Sequence, residues 1–206
     1  SCSTNETDFE TPQEPLLKSY KLKKDASGLY SIDYNLADNT VSDVRKDINS
    51  LTNEFHLSKV GFDTKDNHSK NLKLEKDKLN IGFIDSETGK KIYLTIEDEN
   101  ITLAKGKGTK FLKSYGITKN SNNSYQLDFE INNEVTTSFV FNKEKARYEI
   151  HLSKGQSSDK VFSREIKMPD TGRLNITFVN HSFLGKGYTA SSTEKPNIII
   201  VDQEEV

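Results

Sequence analysis

Apolar residues recur at every second position along much of this chain. Tyr30, Ile32, Tyr34 and Leu36 alternate with polar residues, and so do Tyr125, Leu127, Phe129 and Ile131, which is the period of a strand with one buried face. Similar patterning predicts strands over 71–76, 79–85 and 90–97, and over 161–168, 173–180 and 196–203, giving about seven strands in each half. One segment is ambiguous alone: Val44, Ile48 and Leu51 follow Thr40 and Ser42 at helical spacing. The matching stretch of the second half, Val135 to Asn142, alternates Phe139 and Phe141 among Thr and Val residues, which favours a strand in both.

The two halves are copies of one unit. A shift of 95 positions lays Leu17-Lys18-Ser19-Tyr20 on Leu112-Lys113-Ser114-Tyr115, His56-Leu57-Ser58-Lys59 on His151-Leu152-Ser153-Lys154, and Leu79-Asn80-Ile81 on Leu174-Asn175-Ile176. Residues 16–83 show 17 identities in 68 ungapped positions, against roughly one in fifteen expected by chance, so duplication is the better account. The polar segments Ala37-Asp38-Asn39 and Asn132-Asn133-Glu134 read as hairpin loops inside three-strand meanders.

The expected architecture is therefore all-β: two tandem repeats of an antiparallel, sandwich-like unit of about 90 residues. The predicted boundaries are a flexible tether over 1–15, a first β domain over 16–104, a polar, Gly-containing linker over 105–110 and a second β domain over 111–206. A single pseudo-symmetric body made from both copies is the alternative.

Composition supports this reading. Hydrophobic residues are 33% and charged residues 29% of the chain, enough to bury one face of each strand while the other is solvated. The 29 basic and 31 acidic residues leave a net charge of −2, and no basic stretch is interleaved with aromatics, which argues against nucleic-acid binding. No apolar run approaches the 18 or so residues of a membrane span. The single cysteine, Cys2, excludes internal disulfides and clustered-cysteine zinc sites.

Cys2 follows a small residue, Ser1, and precedes a polar leader that runs from Ser3 to Pro15 with no periodicity. This stretch resembles the processed start of bacterial lipoproteins, and Glu6, Asp8 and Glu10, together with the Asn, Lys and Ile richness, look like lipoproteins of Bacteroidota. The resemblance implies lipidation at Cys2 and anchoring at the outer membrane or cell surface, with the periplasmic face also open.

No GxSxG, HExxH, P-loop, dinucleotide-binding or EF-hand motif occurs, so no catalytic residue, metal ligand or cofactor is assigned and the protein is expected not to be an enzyme. The repeated Glu54-x-His56-x-Ser58 and Glu149-x-His151-x-Ser153 are expected on a solvated outer strand face. The acidic clusters at Asp85, at Glu97-Asp98-Glu99 and at Asp202 are expected in solvated turns. The second copy carries ten extra residues between Phe178 and Ile199 relative to Phe83 and Leu94. They fall in a Gly- and Ser-rich loop with His181, Phe183 and Tyr188, the candidate contacts for a ligand or partner. The expected function is a non-catalytic, lipid-anchored adaptor for an envelope protein partner. The alternative is a lipoprotein that binds a small ligand such as a glycan, haem or a metal.

Overall fold

A computed structural model describes residues 14–99, 111–120, 122–181 and 193–203. The described residues form fourteen strands and no helix. The first half holds β1 (Leu17–Lys24), β2 (Tyr30–Leu36), β3 (Thr40–Asp47), β4 (Thr52–Lys59), β5 (Asn67–Leu72), β6 (Lys78–Asp85) and β7 (Lys91–Glu97). The second holds β8 (Leu112–Lys119), β9 (Ser124–Ile131), β10 (Val135–Asn142), β11 (Arg147–Lys154), β12 (Val161–Lys167), β13 (Arg173–His181) and β14 (Thr193–Gln203). The ambiguous stretch after Thr40 is a strand, and Ile48 sits exposed in the turn beyond it.

The tandem-sandwich expectation is corrected, because the halves share both of their sheets. A six-stranded sheet runs β12-β9-β8-β1-β2-β5, and an eight-stranded sheet runs β10-β11-β13-β14-β7-β6-β4-β3. Antiparallel pairing of β1 with β8 sets Leu22 opposite Ile117, residues that are themselves 95 apart, so a pseudo-two-fold axis passes between them. Pairing of β7 with β14 closes the seam in the other sheet. Each of these strands would otherwise present unpaired backbone groups along an open edge, and its counterpart in the other copy satisfies them. The proposed tether up to residue 13 and the linker at 105–110 lie outside the described residues.

Two further expectations fail for one reason, which is that the chain alternates between layers. After Ala37-Asp38-Asn39 it crosses from β2 in one sheet to β3 in the other, so the segment is an arch instead of a hairpin loop, and Ala37 is buried within it. The chain then leaves β4 for β5 in the opposite sheet and returns as β6, completing a solenoid-like circuit. It therefore re-enters parallel to β4, as β13 does to β11, and the eight-stranded sheet is mixed. β5 lies at Asn67–Leu72, not 71–76. Only Leu72 on it is buried, so its alternation is too weak to read, and ladder pairing with β2 places it.

The register also revises the alignment of the last strand. Leu79 pairs with Ile96 and Leu174 with Ile200, so the shift there is 104, and the second copy carries nine extra residues instead of ten. Ile198 and Ile200 take the core places of Leu94 and Ile96, whereas Ile199 points to the other face.

One hydrophobic core lies between the sheets and draws on both halves. Tyr34 of β2 meets Phe55 of β4 edge-on with ring centroids 5.1 Å apart, and Phe129 of β9 meets Phe178 of β13 at 5.6 Å. Tyr34 is stacked on its outer side by His68, and Phe129 by Phe162, both at 5.1 Å. Such aromatic pairs add about 0.5–1.5 kcal/mol beyond the area they bury.

Candidate functional site at the seam between the halves

The pseudo-two-fold axis generates two polar clusters inside this apolar body, each built from both copies. The first combines Lys24, Tyr30 and Asp98 with Tyr115 of the second half. Lys24 and Asp98 form an ion pair, the Tyr30 hydroxyl donates to Asp98 Oδ2 at 2.7 Å, and the Tyr30 and Tyr115 hydroxyls lie 2.9 Å apart. Asp98 Oδ1 accepts the backbone N–H of Glu99. Every buried polar group here has a partner, the usual condition for polar atoms in a core. Burial raises the proton affinity of both tyrosines far above the ordinary phenol value, and the Asp98 charge adds to it, so both stay neutral hydroxyls.

The second cluster carries the same four residue types at the equivalent positions: Lys119, Tyr125 and Asp202, with Tyr20 of the first half. Its bonding is different. Tyr20 Oη, Tyr125 Oη and Asp202 Oδ1 are buried and make no well-formed hydrogen bond among the described residues; the two hydroxyls interact with each other, and Asp202 Oδ1 is ion-paired with Lys90. Burial, and then the neighbouring Tyr125, push the Tyr20 hydroxyl well above its ordinary pKa, and the two rings sit edge-on at 6.4 Å. Burial also lowers the pKa of the Lys119 ammonium, against the pull of Asp202, and nearby Lys90 lowers it further. Lys90 Nζ stands 3.4 Å from Asp202. Two buried hydroxyls without a well-formed hydrogen bond cost about 1–3 kcal/mol each.

Beside the second cluster lies a cavity of about 400 Å³, within the range of small-molecule sites. Leu17, Leu57, Phe83 and Ile92 form its apolar wall, and Lys18, Lys90 and Lys119 line its polar side together with Glu14 and Asn123. Lys90 contacts Asp202, while Lys119 pairs in register with Tyr20 and reaches over the Tyr125 ring at 6.0 Å, so these two lysines connect cavity and cluster. Asp85 also lines the cavity, but its carboxylate is committed to the backbone, accepting from Leu16 at 3.0 Å, Glu87 at 2.9 Å and Thr88 at 3.0 Å.

Asp85 and Asp98, expected in solvated turns, are less than a tenth exposed, and so is the side chain of Asp202. Asp98 and Asp202 are met at the seam by residues of the other copy, Tyr115 through Tyr30 and Lys90 respectively, whereas Asp85 is held by its own turn and the backbone of Leu16. Sequence reasoning passed over the tyrosines because each looks like an ordinary core residue of its strand. The signal that was available is the identity of Tyr20 with Tyr115, Lys24 with Lys119 and Tyr30 with Tyr125 under the 95-residue shift.

Of the residues singled out from the sequence, Cys2, Phe183 and Tyr188 lie outside the described residues. His181 is described, at the exposed end of β13. His56 and His151 face outward and are only partly covered, each with Nε2 3.0 Å from the glutamate two residues before it. The second of these glutamates is not on a solvated face: Glu149 is buried and bonded to Arg147, whose other nitrogens hold Glu194 at 2.6 and 3.1 Å. Among the described residues no three His, Cys, Asp or Glu side chains converge on a metal position. Among the described residues no helix is long and apolar enough to cross a membrane. No protein-family model matches the chain, and no curated protein or solved structure matches it significantly.

Proposed function

We propose that the protein is a non-catalytic binding module that takes a small amphiphilic carboxylate into the cavity beside Tyr20, Tyr125 and Lys119. The observation that carries this reading is the contrast between two equivalent clusters. The same four residue types satisfy one another at Lys24, Tyr30, Asp98 and Tyr115, yet leave the Tyr20 and Tyr125 hydroxyls without a well-formed hydrogen bond beside Lys119, which lines the cavity. The tyrosine hydroxyls and the Lys119 ammonium are donors suited to a carboxylate head. Leu57, Phe83 and Ile92 suit a short apolar body.

Calorimetric titration with straight-chain carboxylates of six to twelve carbons, and with alcohols of equal length, tests this. The carboxylates are expected to bind one per chain, and Lys119→Met or Tyr125→Phe to weaken them by about tenfold, the value of one charge-assisted hydrogen bond. Equal binding of the alcohols, or unchanged affinity in both variants, removes the reading.

The adaptor reading is the alternative, favoured by the edge strand β10. There Val140 and Phe141 are exposed and Tyr148 packs against Phe141 with ring centroids 4.8 Å apart, where the first copy has Arg45, Lys46 and Asn53. Under this reading Phe141→Lys abolishes association with the envelope partner and leaves carboxylate titrations unchanged. Lipidation of Cys2 belongs to either reading, and Cys2→Ser is expected to release the protein from membranes when it is expressed with a lipoprotein signal. Identical fractionation of the two forms removes the anchor.

A further inference from the structure

His151 and His181 are far apart in sequence and come together because β11 and β13 pair in parallel. Ser153 lies opposite His181 and His151 opposite Val179, which makes the two histidines diagonal neighbours on the outer face of the eight-stranded sheet. His151 Nδ1 and His181 Nε2 are 2.7 Å apart, with ring centroids 5.0 Å apart and planes inclined by 14°. A centroid separation that exceeds the nitrogen separation by about two ring radii means that the rings meet edge to edge in nearly one plane. Their nitrogens face each other head-on, as in a shared hydrogen bond.

The opposite side of His151 fixes which nitrogen is available. Nε2 lies 3.0 Å from Glu149 Oε1, and a carboxylate only accepts, so Nε2 carries the proton and Nδ1 keeps its lone pair toward His181. Glu149 is held in turn by Arg147 at 2.7 Å and by Asn142 at 3.2 Å. A carboxylate bonded to the far nitrogen of an imidazole is the outer-shell arrangement that orients metal-binding histidines and raises their basicity. The first copy supplies the comparison: Glu54 holds His56 at the same 3.0 Å, but Ser86 stands where the 95-residue shift places His181.

We infer that His151 Nδ1 and His181 Nε2 form a two-imidazole site for a divalent first-row transition metal such as Cu²⁺, Ni²⁺ or Zn²⁺, with solvent completing the coordination. Imidazole nitrogens suit these ions, and copper is expected to bind most tightly. Metal–nitrogen distances of about 2.0–2.1 Å place two cis ligands roughly 3 Å apart, so the pair opens by a few tenths of an ångström and the rings turn from head-on until both lone pairs converge on the metal, movements that rotation of the exposed His181 side chain and a tilt of His151 supply. His181 moves its proton to Nδ1 as its Nε2 binds, and no net proton is released when both rings start neutral. Glu149 is a positioning residue and does not touch the metal. This site is separate from the seam cavity and does not depend on what binds there.

The test is calorimetric titration of the full chain, in a Cys2→Ser background, with Cu²⁺, Ni²⁺ and Zn²⁺ at pH 7.5, together with the copper EPR spectrum. One saturable site per chain with nitrogen hyperfine splitting is expected. His151→Asn and His181→Asn should each weaken it at least tenfold, Glu149→Gln by about 10–100-fold, and His56→Asn not at all. The histidine variants concern partly exposed rings and are expected to melt like the parent, which separates loss of a ligand from loss of fold. No saturable binding in the parent, or parent-like binding in His181→Asn, overturns the inference.

Discussion

Ala146 adopts a left-handed conformation, φ +50°, in the turn between β10 and β11, and Leu51 does the same, φ +57°, between β3 and β4. Neither side chain favours that region, where an L-residue costs about 1–2 kcal/mol relative to glycine. The exposed Ala146 loses no packing on truncation, so Ala146→Gly is expected to raise stability by about 0.5–1 kcal/mol after the extra freedom of the unfolded chain is counted. Gly172→Ala should do the reverse, since its φ is +75° and a Cβ there would meet the Asp202 carbonyl at 3.1 Å. Urea midpoints of the two variants check both signs. At the seam, Tyr30→Phe strips Asp98 of a donor and leaves the Tyr115 hydroxyl unpaired, a loss of about 1–3 kcal/mol. The equivalent Tyr125→Phe removes a hydroxyl that makes no well-formed hydrogen bond and should leave stability unchanged or slightly higher. A stability cost for Tyr125→Phe equal to that of Tyr30→Phe would mean that the second cluster is satisfied as well as the first.

Among the elements, β11 and β14 are held together across β13 by the Arg147 fork to Glu194, with Glu149 on the near side. Hydrogen bonding from Arg147 holds the Glu194 carboxyl at about 2 against its usual 4.5. Burial would push Glu149 up, but bonds from Arg147, His151 and Asn142 outweigh it and its pKa falls. A carboxylate whose folded pKa is depressed contributes stability above its unfolded pKa and loses it as pH falls through the folded value. Stability should therefore decline between about pH 4.5 and 2, and Glu194→Gln should flatten that decline. Glu194 is 43% exposed, so solvent screening limits the difference to about 1 kcal/mol or less. Denaturant midpoints of parent and variant across that window measure it. Identical slopes would show that the ion pair is inert.

At the scale of the molecule, the common core predicts a single melting transition. Tyr34→Ala and Phe129→Ala each empty a buried aromatic site and should cost about 3–5 kcal/mol. In scanning calorimetry both should shift the one transition of the whole chain, whereas a second transition left in place by either variant would restore two independent units. The seam makes a further prediction, because β1 pairs with its own counterpart about the axis at Leu22 and Ile117. Residues 14–104 expressed alone would expose the edges of β1 and β7 and are expected to close them on a second copy, β1 on β1 and β7 on β7. Sedimentation should find a dimer. A stable monomer would show that an open edge is tolerated.

The duplication, the all-β class, seven strands per copy and the alternating core positions of β2 and β9 were legible in the sequence, because strand periodicity is local and two copies report it independently. Turn conformation is kept even where residue identity is not: Gly28 and Asn123, Asn39 and Glu134, Leu51 and Ala146, and Asp77 and Gly172 all have positive φ at equivalent positions. Which sheet each strand joins was not legible, since alternation marks a buried face without naming what covers it. The choice between two separate sandwiches and one body lay in the same gap. It was decided by β1 meeting β8 and β7 meeting β14, backbone pairings that carry no side-chain signature. The candidate sites follow from those pairings. Tyr20 and Tyr125 read as core residues, and His151 and His181 as unrelated surface residues, until the seam and the parallel return of β13 bring each pair together. Local periodicity determines which residues are buried, and only the long-range strand order determines which polar groups are buried together and which of them lack a well-formed hydrogen bond.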